Sequence, residues 1–99
     1  MKTVDYFAKA VEVVSDVTGI DKDDIISKRR QKPLVDARCI IVMLMIRAGY
    51  YPNQIAEVMN ISERWVQKIA ETFRDRLRFH TGESFESNFE EASNKMRIN

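Results

Sequence analysis

A chain of 99 residues, 44% of them apolar, can bury one core without staples and is the size of one domain. One cysteine excludes an internal disulfide, and the longest apolar run, Cys39 to Ile46, falls far short of the roughly 20 residues of a membrane span. A net charge of +1 excludes a uniformly basic protein, but residues 28–38 carry five basic side chains against one acidic and residues 62–80 five against three.

The periodicity is helical rather than alternating, and only three glycines and two prolines are available for turns, so the expected fold is all-α, a compact bundle of five to six helices. The first helix should run from about Thr3 to Thr18 with Phe7, Ala10, Val11 and Val14 on one face. Gly19 then supplies a left-handed C′ residue, and Ile20 sits where a Schellman motif wants an apolar contact. Asp21 is placed to cap a short second helix that carries Ile25 and Ile26 inward, and Ser27 to Lys32 reads as a basic loop. Pro33 suits the first turn of a third helix. That helix is apolar nearly all round from Leu34 to Ile46, which marks it as the buried centre, and Ala48-Gly49 ends it. A fourth helix should span Pro52 to Met59, and a fifth Glu63 to His80, stopped by Thr81-Gly82.

After Ser84, the spacing of Phe85, Phe89, Ala92 and Met96 predicts a terminal amphipathic helix. The organisation is therefore one helix-turn-helix domain over residues 1–82, with residues 83–99 packed on it. The economical arrangement covers Phe79 and the first helix, and the alternative is a homodimer through the same stripe.

The most informative stretch is Ile55 to Val66. Ile55, Ala56 and Met59 share one helical face, Asn60 tolerates a left-handed break, Ile61 can return to the core and Ser62 can cap a new helix. Val66, Ile69, Ala70, Phe73 and Leu77 then form one apolar stripe. Short helix, sharp turn and longer helix are the form of a helix-turn-helix, whose second helix enters a DNA major groove. The outward side chains at its start are Glu63, Arg64, Gln67 and Lys68, with Arg64 best placed for a bidentate contact to guanine. For Glu63 the favoured role is to complement the helix N-terminus.

With these elements in place, the chain resembles the C-terminal DNA-binding domain of the bacterial replication initiator DnaA, a TrpR-like helix-turn-helix, over roughly Val4 to Leu77. The likeness is carried by the run from Val17 to Arg30, in which a cap, two isoleucines and Ser27-Lys28-Arg29-Arg30 follow in order, and by Arg38 in the long apolar helix. The resemblance implies minor-groove or phosphate contacts by Lys28, Arg29, Arg30 and Lys32, and a backbone contact by Arg38. The chain departs from the family at the readout turn. Where the family has Gly-Gly-Arg-Asp-His-Thr-Thr-Val, this sequence has the shorter Asn60-Ile61-Ser62-Glu63-Arg64-Trp65-Val66, so the initiator's own DNA box is not expected to be its target. No phosphate-binding Gly-x-x-x-x-Gly-Lys-Ser/Thr motif is present either.

Other chemistry finds little support in the residues. One His and one Cys cannot assemble the usual zinc ligand sets, and no cofactor or catalytic motif is found, so no enzyme is expected. Cys39 reads as a small core residue, His80 as a helix-terminal charge, and Trp65 as core edge. Residues 27–49 lack aromatics, which argues against single-strand binding by stacking. The expectation is a non-catalytic binder of double-stranded DNA, cytoplasmic and nucleoid-associated in a bacterium or phage-infected cell, with no membrane partner. A protein-interaction module that keeps the fold without DNA is the rival reading.

Overall fold

The apolar stripes of the sequence close on one another as helices in the computed structural model, which describes residues 2–79 and 84–98. The chain is all-α. Among the described residues the helices are α1 (Thr3–Thr18), α2 (Lys22–Ile25), α3 (Lys32–Arg47), α4 (Pro52–Met59), α5 (Glu63–Phe79) and α6 (Phe85–Ile98). None of them is long and apolar enough to cross a membrane.

Local chemistry sets the boundaries. Helix α1 ends at Gly19, whose φ of 77° is left-handed and whose N–H donates to the Ser15 carbonyl at 2.8 Å. The Asp21 carboxylate accepts the Asp23 N–H at 3.0 Å and so starts α2. Pro33 lies in the first turn of α3, where its missing N–H is harmless. At α4 the Gln54 side chain reaches back to accept the Tyr51 N–H at 2.8 Å.

The core sits around α3. Cys39, Ile41, Val42 and Met45 are fully buried there, and α1, α4, α5 and α6 all pack against this helix. Burial also raises the Cys39 thiol to about 11, so its thiolate is scarce near neutral pH and the residue acts by packing. Two inward expectations are corrected. Ile25 is buried, but Ile26 is 56% exposed, because the single turn of α2 ends at Ile25 and adjacent residues point about 100° apart. By the same rotation Ala70 is exposed beside buried Ile69, leaving Val66, Ile69 and Phe73 as the buried stripe of α5 and Leu77 half-buried.

Helix α6 lies against α1 and α3 of the same chain. Phe85 and Phe89 are each 3% exposed and meet Phe73 with ring centroids 5.6 and 4.8 Å apart. The Arg47 guanidinium stacks 4.8 Å over the Phe89 ring, and Lys95 pairs with Asp16 of α1 at 2.7 Å. The expected stop at Thr81-Gly82, the role of His80 and the cover over Phe79 lie outside the described residues and side chains.

Candidate nucleic-acid interface

The basic loop is built around Arg38. This position falls in the stripe Leu34, Arg38, Ile41, Met45 of α3, so its guanidinium turns inward and is only 8% exposed. There it closes the loop from beneath. Its Nε donates to the Ile25 carbonyl at 2.7 Å, Nη1 to Arg29 at 2.6 Å, and Nη2 to Ser27 at 2.6 Å and Asp24 at 3.2 Å. The carbonyls of Ile25, Ser27 and Arg29 have left the helical ladder and need donors, which the fork of one arginine supplies; that of Asp24 also accepts from Ser27. The backbone contact implied for Arg38 is thus corrected: the side chain shapes the loop from inside. Burial, followed by the nearby charge of Arg30, pulls Arg38 below the ordinary arginine range, yet an arginine stays charged in proteins.

The four loop cations are exposed but differ in their company. Arg29 pairs with Asp24, and Lys32, now the first residue of α3, pairs with Asp36 at 3.2 Å. Arg30 makes no hydrogen bond or ion pair with another described residue. Lys28 crosses to the next element, donating from Nζ to the Asn60 carbonyl at 3.1 Å. Exposed pairs of this kind contribute about 0–1 kcal/mol each, so an incoming anion can take them over.

Asn60 is the pivot of the second element. It adopts φ 56° and ψ 48°, and its left-handed turn reverses the chain between α4 and α5. Ile61 returns to the core edge, with its N–H donating to the Ala56 carbonyl at 3.0 Å. The Ser62 hydroxyl accepts the Trp65 N–H at 3.0 Å and starts α5. Ser62, Glu63, Arg64, Gln67 and Lys68 are all exposed at this end of α5, while Val66 and Ile69 hold the helix to the core. Trp65 is half-buried against the core, as its edge position implied.

Nine of these residues are legible in the sequence as basic-loop, capping or outward positions, in two separate blocks. The link between the blocks is not. The Lys28–Asn60 bond spans 32 residues, so no local spacing could announce it. Arg38 is different: the resemblance puts it on the DNA backbone, although its place in one stripe with Leu34, Ile41 and Met45 is a local signal from which its inward position could have been found. No protein-family model, curated protein or solved structure matches this chain.

Proposed function

We propose that this chain is a non-catalytic binder of double-stranded DNA in which α4, the turn at residues 60–62 and α5 act as a helix-turn-helix. The observation that carries the reading is the Lys28–Asn60 bond, which sets the basic loop beside the turn that opens the exposed start of α5. In this mode α5 enters a major groove. Arg64, Gln67 and Lys68 meet base edges, and Ser62 and Glu63 start and orient the helix. Lys28, Arg29, Arg30 and Lys32 neutralise adjacent phosphates or enter the neighbouring minor groove, and Arg38 holds their loop in shape. The mode is that of the initiator domain the sequence resembles, with a different target sequence, in replication or transcription control.

The test is electrophoretic shift on mixed-sequence duplex DNA. Counterion release predicts a steep loss of affinity between about 50 and 200 mM salt. The double variant Arg29→Glu, Arg30→Glu should weaken binding to every duplex alike and flatten the log–log salt slope by about 1.8, the worth of two phosphate contacts. Absence of binding at about 50 mM salt would overturn the proposal and leave the protein-interaction module as the better account.

A further inference from the structure

Between the basic loop and the α4–α5 turn the helices leave a cleft of about 850 Å³. That volume falls within the ~300–1,000 Å³ of small-molecule sites. Its walls include Ile26, Val35, Val58, Met59, Ile61 and Trp65, with buried Ile25 and Ile41 beneath. These wall residues are half-buried or, at Ile26, 56% exposed, so apolar surface faces an open space. The charged residues lining the same cleft are Lys28, Arg30 and Arg38, with no carboxylate among them.

The charge is unusually one-sided. Arg38 is buried and bonded to carbonyl oxygens and to the Ser27 hydroxyl, none of which carries a negative charge. Arg30 is near enough for its charge to act on Arg38, and has no described partner of its own. Two like charges beside an apolar wall repel, and an anion placed between wall and mouth would relieve both.

We propose that this cleft binds a small organic anion with an apolar body. The body fills the space between Trp65, Met59 and Ile26, and Arg30 makes the direct contact with the anionic group. Arg38 adds its field from beneath, most of its N–H groups being committed to the loop. A phosphodiester would satisfy Arg30 but leave the apolar walls wet, so nucleic acid alone does not account for the cleft. The inference does not rest on DNA binding, and its test contains no DNA.

The probe is 8-anilinonaphthalene-1-sulfonate, compared with its uncharged parent N-phenyl-1-naphthylamine. Trp65 is the one tryptophan of the chain and lines the cleft, so energy transfer from it reports binding there. The sulfonate should quench Trp65 emission while near-ultraviolet circular dichroism stays native, which separates cleft binding from uptake by a loosened core. Arg30→Gln should weaken the sulfonate about tenfold and leave the uncharged parent within about twofold of wild type. Ile26→Glu, at a position already more than half exposed, installs an internal carboxylate and should weaken the sulfonate in the same way. Unquenched Trp65, or equal sulfonate affinity in wild type and Arg30→Gln, would overturn the proposal.

Discussion

The two flanks of α5 solve the same packing problem in opposite ways. Toward α6 the junction is closed: Phe73 meets Phe85 and Phe89, Arg47 covers a ring, and Lys95 reaches Asp16 at the surface. Between α2 and the α4–α5 turn the junction stays open, with Ile26 exposed and cations along the rim of the cleft. The closed flank uses its apolar surface to hold the fold together. The open flank leaves apolar surface exposed beside Arg30, and the proposed binding rests on that arrangement.

The sharpest way to break this contrast is Phe89→Ala. Removing a ring that is 3% exposed leaves a cavity in the closed flank and should destabilise the fold by about 3–5 kcal/mol, read by urea denaturation. Affinity of the remaining folded protein for DNA should be unchanged. A loss of affinity as large as the loss of stability would show that the flanks are coupled.

Arg38→Met carries the next effect. It strands the carbonyls of Ile25, Ser27 and Arg29, with an expected destabilisation of about 3 kcal/mol, and it should release the loop cations from their places. Arg38→Lys should fail to rescue, because one ammonium cannot reproduce the planar fork. Full rescue by lysine would reduce the role of Arg38 to bare charge.

Smaller effects sharpen the open flank. Arg64→Ala should weaken the preferred duplex by about 1–3 kcal/mol and random duplex little, as binding curves on the two would show; equal losses would make Arg64 a phosphate contact. Ser62→Ala, which removes the oxygen accepting the Trp65 N–H, should destabilise by about 1 kcal/mol in the same urea measurement.

The least effect belongs to the exposed pair that ties α6 to α1. Hydrogen bonding to Lys95, and then its charge, lower the Asp16 carboxyl, while the same contact raises Lys95. The Asp16 contribution is therefore present above its unfolded-state pKa and fades as pH falls through the lowered folded value. The Lys95 contribution is present below its unfolded-state pKa and fades as pH rises through the raised folded value. Asp16→Asn should lower the melting temperature slightly between those limits, and the difference from wild type should vanish in high salt and at strongly acid pH. A difference that persists under both conditions would mean the side chain packs rather than pairs.

What was legible in the sequence had a local cause. Gly19, Asp21, Pro33, Asn60 and Ser62 act on backbone groups within a few residues, so the end of α1, the cap of α2, the entry to α3 and the corner before α5 follow from short-range chemistry. The period of apolar residues likewise made α3 the centre and put Phe85, Phe89 and Ala92 on one face. The outward set Glu63, Arg64, Gln67 and Lys68 followed from the same rotation.

The errors share a cause as well. At Ile26 and Ala70 residue type suggested burial, but helix length and a neighbour's position on the same turn decided exposure. At Arg38 charge suggested solvent, while the donors wanted by the carbonyls of Ile25, Ser27 and Arg29 decided burial.

By itself, then, the sequence determined six helical stretches, several of their caps and most of the faces that seek the core, because those depend on torsions and spacings within a turn or two. Only the tertiary structure decided that α6 closes on Phe73, that Lys28 meets Asn60, and that a cation-lined cleft stays open between them. Those outcomes depend on the angle at which whole helices meet and on partners tens of residues apart, and no periodicity in one segment records either.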